Sequence, residues 1–411
     1  MKRELAIHDT DAHTVVAFLV DFLGEKQVLA RISRAHRIIS METGNYLEYW
    51  VRPNWSFWLG LEAARAQIQE HGSLTGVLTG EMFYPIELAA KIRHFSQSMP
   101  EVRLAEFRSR ILTSDYLPPV FLEIDTAAHY WQLGYDIEWP PPPEGEGIRV
   151  PEFIASDGTL TIEVECKSQA PDSGRMVARP RFYRLTDEIG ALLGSLDLAG
   201  KVLISVDGRL PTSDDWKNKL LAAIRDAAPD GSTPITLDDS TTVEISLVSA
   251  SSFLVPIVEL VREAAELQVA HSHVALSGSR KNDSVLAPVI IRFQSTSPDK
   301  VLASYLQDLR DANRQLSGTR PGVIICFVPE VQSFEGLQSE SALHNMTATF
   351  FQRHAKESVY AVTYVSDSTA IQEGLSITRS SPAIAFHNHR FDTSYGENIP
   401  ILSGSQPFSA A

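Results

Sequence analysis

The chain has only two cysteines among its 411 residues, Cys166 and Cys326, and both lie in apolar, strand-like runs. So low a cysteine content argues against structural disulfides and is typical of a reducing compartment. No stretch approaches the roughly 20 apolar residues that a membrane-spanning helix requires, and the N-terminus lacks an apolar run of signal-peptide length. We therefore expect a cytoplasmic protein with no membrane partner.

Two further absences argue against a zinc site and against nucleotide binding. The 12 histidines are scattered and have no cysteine nearby to complete a zinc ligand set, and the chain contains no glycine-rich nucleotide-binding loop. Positive charge is also scarce, because 36 basic residues stand against 51 acidic ones and give a formal net charge of -15. Such a chain repels polyanions, so any contact with nucleic acid must be confined to a local basic surface.

The most informative segment is the predicted hairpin of residues 151–167. Asp157-Gly158 favours a tight two-residue turn, which would place Glu152 opposite Glu163. Side chains two apart on a strand share a face, so the acidic face continues along the second strand. The residues that share this face with Glu163 are Glu165 and Lys167. The opposite face is apolar and is expected to pack inward; it carries Phe153, Ile162, Val164 and Cys166.

Carboxylates gathered on one face repel one another, and a hard divalent cation is a common remedy. Mg²⁺ takes oxygen ligands and retains waters, so Glu152 and Glu165 together with a substrate phosphate would complete its shell. Lys167 would then orient or deprotonate the attacking water, or neutralise developing negative charge. A solvated acidic strand, with one lysine in an ordinary cross-strand pair, has the same spacing and stays open as an alternative.

A predicted helix lies upstream of the hairpin. Pro118-Pro119 opens it, Gly134 ends it, and Glu123 lies on the flank of its apolar stripe. Glu123 could reach towards the hairpin as a catalytic residue, or could be a solvated residue favoured by the helix dipole. The stripe consists of Val120, Ile124, Ala127, Ala128 and Trp131, and residues 135–139 follow as a strand.

The order of helix, strand, strand with Pro151-Glu152, and strand with Glu165-Cys166-Lys167 resembles the PD-(D/E)xK nuclease superfamily over roughly residues 115–210. The resemblance implies a restriction-endonuclease-like core of one helix, three strands, a helix and a fourth strand. Residues 181–196 and 201–206 would supply the last two elements. It also implies Mg²⁺-dependent hydrolysis of DNA or RNA, with Mn²⁺ as a substitute.

The roles that the resemblance implies fall on four residues. Glu152 and Glu165 would be the metal ligands, Lys167 would activate water or stabilise charge, and Glu123 would join them as a catalytic residue. Glu152 stands where the family most often has aspartate. That departure, with the acidic surface, motivates an alternative function: a nuclease-fold protein that binds nucleic acid or a partner subunit without cutting.

Arginines follow the hairpin with aromatic residues between them. Forked guanidinium donors suit phosphates and interleaved rings suit bases, so we predict a nucleic-acid contact here. The alternative is that these arginines cover a helix face or pair with the site's own carboxylates. The predicted contact residues are Arg175, Arg179, Arg181 and Arg184.

Two earlier segments carry weaker signals. The first is basic and reads either as a second phosphate-binding surface or as ordinary solvated helix; it contains Lys91, Arg93, His94, Arg103, Arg108 and Arg110. The second is aromatic and reads either as a stacking platform or, more commonly, as core or interface. Its residues are Tyr46, Tyr49, Trp50, Trp55, Phe57 and Trp58.

The sequence therefore predicts an α/β protein with a restriction-endonuclease-like mixed-sheet core. We place a mainly helical region at 1–112, the nuclease-like core at 113–240 and a C-terminal α/β region at 241–411, whose strands form a separate domain or extend the nuclease sheet. The function expected is a metal-dependent nuclease, DNA favoured, with bacterial restriction or defence as the setting and a partner subunit or homo-oligomer possible. A general α/β interaction protein is the weakest of the three readings.

Overall fold

The computed structural model describes residues 3, 12–72, 80–141, 150–170, 172–230, 232–250, 254–269, 271–328, 341–366, 369–373, 376–396, 398–402 and 404–410. Its contacts divide the chain into two compact units. Unit 1 comprises residues 1–35, 54–171 and 302–411, and unit 2 comprises residues 36–53 and 172–301. In the described part of the chain, no helix combines the length and the apolar character needed to cross a membrane.

The helices agree well with the patterns in the sequence. Pro118 and Pro119 occupy the first positions of the helix that carries Glu123, and Gly134 follows its end at a φ of 102°. The helices are α1 (Ala12–Leu23), α2 (Glu25–Met41), α3 (Gly44–Tyr46), α4 (Arg52–His71), α5 (Gly80–Phe95), α6 (Glu101–Thr113), α7 (Pro118–Gln132), α8 (Arg179–Ser195), α9 (Asp214–Ala227), α10 (Ile257–Leu267), α11 (Val301–Gln315) and α12 (Ser341–Arg353). A π-helical turn, Leu47–Val51, and 3₁₀ turns, Ala228–Asp230 and Thr393–Tyr395, complete them.

Unit 1 is built on an eight-stranded mixed sheet. Its strands run in the order β1-β2-β3-β10-β11-β13-β12, with β14 also paired to β13. β3 is parallel to β10 and β10 to β11, whereas the other pairs are antiparallel. The strands are β1 (Asp136–Glu138), β2 (Phe153–Ser156), β3 (Thr161–Ser168), β10 (Gly322–Val328), β11 (Val359–Ser366), β12 (Thr369–Glu373), β13 (Ser376–His387) and β14 (Gly404–Ala410).

The connection between the parallel strands β3 and β10 passes through α11 and contains nearly all of unit 2. Parallel neighbours require a crossover, and α11 supplies it within unit 1. The order α7, β1, β2, β3, α11, β10 is thus one helix, three strands, a helix and a fourth strand, interrupted after β3 by residues 172–301.

Unit 2 has its own six-stranded sheet. The strand order is β5-β6-β4-β9-β7, with β8 also paired to β9, and β4 and β9 are parallel. Helices α8 and α9 cover an apolar core that includes Phe182, Ile204 and Phe293. Ser213 caps α9 by accepting a hydrogen bond from the Trp216 N–H. The strands are β4 (Leu198–Val206), β5 (Ser232–Asp238), β6 (Thr241–Ser249), β7 (Leu254–Pro256), β8 (Ser272–Lys281) and β9 (Ser284–Ser295).

The α/β class with mixed sheets is confirmed, but the placement of the last two predicted core elements was wrong. The helix and strand predicted at 181–196 and 201–206 exist as α8 and β4, yet both belong to unit 2 and not to the sheet of β3. The neighbour of β3 is instead β10, so the late strands extend the same sheet. Nor do the compact units follow the boundaries expected at 112 and 240, since the second falls in the turn between paired strands β5 and β6.

Candidate functional site

The hairpin of β2 and β3 has a different register from the one expected. Ile154, not Glu152, lies opposite Glu163, because the connecting loop has four residues. The Asp157 carboxylate accepts hydrogen bonds from the N–H groups of Thr159 and Leu160, which stabilises this longer loop. Since the shift is by two residues, the acidic residues keep their common face. The apolar face is buried as expected.

Glu165 lies at the centre of the acidic face and is completely buried. Its Oε2 accepts a hydrogen bond from the Glu152 N–H at 3.1 Å, and its Oε1 lies 2.6 Å from the Lys167 Nζ. Burial raises the pKa of Glu165 to about 8, while Lys167 opposes the rise and Glu152 adds to it. The register thus brings together the three residues that the resemblance singles out on the hairpin.

Glu123 reaches the same cluster from α7. Arg110 of α6 donates two hydrogen bonds of 2.6 Å to its carboxylate, in the forked geometry that arginine favours. Burial, followed by the charge of Glu152, raises the pKa of Glu123 to about 7, although Arg110 works in the other direction. Glu123 is therefore a buried member of the cluster and not a solvated helix residue.

Glu152 completes the group of carboxylates. Arg103 lies 3.7 Å from its Oε2 and also forms an ion pair with Glu106 at 2.9 Å. Burial raises the pKa of Glu152, and the positive charges of Arg103, Arg110 and Lys167 oppose that rise. Four carboxylates thus share three cations in a mostly buried setting that we call the acidic cluster. Its members are Glu106, Glu123, Glu152, Glu165, Arg103, Arg110 and Lys167.

Lys167 has a second partner besides Glu165. Its ammonium donates to the Gln315 Oε1, at the end of α11, at 2.5 Å. Burial lowers the pKa of Lys167, but the ion pair with Glu165 and the charge of Glu152 outweigh it, and the net shift is upward. The ammonium is thereby held as a cation beside the carboxylates.

The acidic cluster supplies a limited set of metal ligands. No group of three or more histidine, cysteine, aspartate or glutamate side chains suited to a metal ion occurs in the described part of the chain. Glu152 and Glu165 are nevertheless adjacent carboxylates that repel each other, and Mg²⁺ is commonly held by one or two carboxylates plus waters and phosphate. The donor set therefore fits a Mg²⁺ ion with two protein ligands and not one with three.

Glu163 does not belong to the cluster, although it shares a strand face with Glu165. Its carboxylate accepts a hydrogen bond of 2.7 Å from the Ser317 N–H, just after α11. The expectation that Glu163 lies opposite Glu152 was wrong because of the four-residue loop. Glu163 instead anchors the segment that follows α11.

The predicted nucleic-acid residues lie in unit 2, at the start of α8 and just before it. Arg179 and Arg175 lie 2.7 and 3.6 Å from Asp172, and Arg184 lies 3.1 Å from Glu42. Arg181 donates to the carbonyl oxygens of residues 211 and 213. These three arginines thus pair with Asp172 and Glu42, and not with the site's own carboxylates as the alternative expected.

The aromatic segment predicted at 46–58 separates into two parts. Trp55, Phe57 and Trp58 are buried in unit 1 as core residues. Tyr46, Tyr49 and Trp50 lie in unit 2 against the arginines of α8. The guanidinium carbon of Arg184 lies 4.1 Å from the Tyr46 ring, that of Arg179 lies 5.6 Å from the Trp50 ring, and Tyr49 stacks on Tyr183 at 5.5 Å.

Asp187 of α8 holds this aromatic segment in place. Its carboxylate accepts hydrogen bonds from the N–H groups of Asn45 at 2.7 Å and Tyr46 at 2.8 Å. Gly44 has a φ of 66°, and a Cβ there would lie 2.3 Å from the Asp187 carboxylate. We refer to Tyr46, Tyr49, Trp50, Arg179, Tyr183 and Arg184 as the arginine–aromatic surface.

Three residues of the acidic cluster were not assigned to it from the sequence, although two of them, Arg103 and Arg110, were named in the basic segment. Arg103, Glu106 and Arg110 have helical spacings of three and four, which place them on one face of α6, and that periodicity could have revealed them. Gln315 gave no signal, because it lies 148 residues after its partner. No protein-family model matches the chain, and comparisons with curated proteins and with solved structures find no match either.

Proposed function

We propose that the chain is a metal-dependent nuclease of the PD-(D/E)xK type that hydrolyses phosphodiester bonds. The observation that carries the proposal is the meeting of Glu152, just before β2, with Glu165 and Lys167 of β3, and Glu123 lies beside them. An acid and base constellation with raised carboxyl pKa values is a recognised mark of a functional site.

The strand order of unit 1 supports the same proposal. Helix α7, strands β1 to β3, helix α11 and strand β10 follow the order that the resemblance implies, and β3 and β10 are parallel neighbours. On this reading the core is restriction-endonuclease-like, and residues 172–301 are an insertion between its third strand and second helix.

The roles of the residues follow from their contacts. Glu152 and Glu165 would hold Mg²⁺, or Mn²⁺ in its place, and the ion when bound would acidify water and offset charge on a phosphate. Lys167 is held as a cation by Glu165, so its contribution is charge stabilisation of the phosphate oxygens more than proton abstraction. Glu123 keeps Arg110 at the edge of the cluster.

We propose a DNA substrate, with the arginine–aromatic surface of unit 2 as a contact for it. Arg184, whose side chain is 50% exposed, lies over the Tyr46 ring, and Tyr49 is 63% exposed, so a guanidinium and an aromatic ring both face solvent. The proposal includes cytoplasmic action in restriction or defence, alone, as a homo-oligomer or with a partner subunit.

The first experiment compares wild-type protein with two lysine variants on plasmid DNA, single-stranded DNA and structured RNA. Lys167→Ala should abolish cleavage in Mg²⁺, and Lys219→Ala, which removes an exposed lysine paired with Asp215, should retain it. EDTA should stop the wild type. Equal cleavage by the wild type and Lys167→Ala would refute the catalytic assignment.

A second function is favoured by one specific observation. Each carboxylate of the group formed by Glu123, Glu152 and Glu165 already has a cationic partner, namely Arg110, Arg103 and Lys167 respectively. Such pairing suits a nuclease-fold protein that binds nucleic acid or a partner subunit without cutting it. Nucleic-acid binding without cleavage in any divalent cation would select this function.

A further inference from the structure

The Lys167 ammonium is held between acceptors from two different elements. Glu165 comes from the same strand and approaches it at 2.6 Å, whereas Gln315 comes from the last turn of α11 and accepts its hydrogen bond at 2.5 Å. A lysine side chain has a flexible four-carbon stem, so one acceptor leaves the direction of the ammonium loosely defined. Two acceptors on separate elements define it.

The end of α11 is itself fixed to the sheet. The Ser317 N–H donates to the buried Glu163 carboxylate at 2.7 Å, and the Lys356 ammonium donates to the carbonyl oxygen of Leu316. Gln315 therefore precedes a segment anchored to β3, the strand that carries Lys167. Glu163 and Lys167 lie four residues apart on one face of that strand. The strand that carries Lys167 therefore also anchors the segment that follows Gln315.

The chemistry of the amide agrees with this arrangement. An ammonium has three donors and no acceptor, so only the oxygen of a glutamine amide can face it. Gln315 neutralises no charge, and its contribution is direction. That distinguishes it from Glu165, which supplies both charge and contact.

We propose that Gln315 is a positioning residue, which aims the Lys167 ammonium at the reacting phosphate and reaches the site because α11 crosses from β3 to β10. The proposal rests on the nuclease function proposed above. It assigns a role in that function to the helix that follows the inserted unit 2, far from the hairpin in sequence.

The experiment uses three variants of the full-length chain. Gln315→Leu removes the acceptor at similar volume, and Gln315→Glu keeps an acceptor. Gln307→Leu is the matched control on an exposed part of the same helix, where the side chain donates a hydrogen bond to Asp311. Two readouts are taken: kcat and KM for DNA cleavage, and the ¹⁵N resonance of the Lys167 ammonium, identified by its loss in Lys167→Ala.

Gln315→Leu should lower kcat about 100-fold, the cost of misplacing a catalytic group by about 1 Å, while KM changes little. Its ammonium resonance should move and broaden, whereas Gln307→Leu should keep both the resonance and the activity. Gln315→Glu changes the local charge and so shifts the resonance, but it should keep the resonance sharp and retain most of the activity. A Gln315→Leu protein with wild-type kcat and an unmoved resonance would overturn the proposal, as would a Gln315→Glu protein as slow as Gln315→Leu. If the wild type does not cleave, the nuclease function fails, and the resonance alone still decides whether Gln315 positions Lys167.

Discussion

The acidic cluster of unit 1 and the arginine–aromatic surface of unit 2 both consist of cations paired with carboxylates, but their burial differs. Glu123 and Glu165 have side chains 7% and 0% exposed, whereas the Arg184 and Glu42 side chains are 50% and 28% exposed. A buried charge that loses its partner destabilises the fold strongly. Exposed ion pairs contribute little to the free energy of unfolding, because water and salt screen them. Similar pairs therefore have different consequences for stability and chemistry.

The largest expected difference follows from removing one cation in each unit. Arg110→Ala leaves Glu123 buried without its forked partner and should lower the free energy of unfolding by about 3 kcal/mol at pH 8. Arg184→Ala removes an exposed pair and should cost less than about 1 kcal/mol. Urea unfolding of both variants measures the contrast, and equal losses would contradict it.

The second prediction concerns the gain in stability on binding a divalent cation, which is expected to be slightly smaller than the loss in Arg110→Ala. If Glu152 and Glu165 hold Mg²⁺, a concentration of 100 times the dissociation constant should stabilise the protein by about 2.7 kcal/mol. Glu165→Gln should remove that gain, whereas Glu42→Gln, in the exposed pair, should keep it. Thermal unfolding with and without Mg²⁺ gives the answer, and a gain that survives Glu165→Gln would exclude this site.

The sequence predicted which residues of the acidic cluster share a strand face, but it did not predict which strand lies beside β3. Alternation along β3 placed Glu165 and Lys167 on one face. Glu152 shares that face despite the wrong turn, because a register shift of two residues preserves the face. The helix with Glu123 was also predicted to within two residues of its end. Local periodicity and proline or glycine signals are sufficient for such features.

Long-range pairing could not be predicted in the same way. Strand β4 and strand β10 have similar apolar composition, and only tertiary packing places β10 beside β3. The contact between Gln315 and Lys167 depends on that choice. The sequence analysis treated the core as one continuous segment, 113–240. In the structure, 130 residues, 172–301, separate elements that are adjacent in unit 1.

The third prediction concerns pH, and its sign follows from the direction of the pKa shifts. The pKa of Glu123 is raised to about 7 and that of Glu165 to about 8, from 4.5, so the folded state binds more protons than the unfolded state between these values. Stability is therefore greatest near or below pH 4.5, as far as these groups decide it, and falls as the pH rises towards 8. Each carboxyl contributes up to about 1.4 kcal/mol per pH unit.

Denaturant unfolding from pH 5 to pH 9 measures this slope. Glu165→Gln should flatten it, because the amide does not titrate and mimics the protonated acid. Glu42→Gln, in the exposed pair of unit 2, is the control and should leave the slope unchanged. A wild-type stability that stays level through this range would show that the buried carboxyls are ionised in the folded state.

The smallest expected effect belongs to the arginine–aromatic surface. Tyr49 is exposed and stacks on Tyr183, so Tyr49→Ala should leave stability almost unchanged but weaken binding of single-stranded DNA by about 1 kcal/mol, a few-fold in Kd. Fluorescence anisotropy with a labelled oligonucleotide at fixed salt measures it, with Tyr84→Ala in unit 1 as the aromatic control. A loss of binding in Arg184→Ala but not in Tyr49→Ala would assign the contact to phosphates and not to stacked bases. Wild-type affinity in both variants would show that the arginine–aromatic surface does not contact single-stranded DNA.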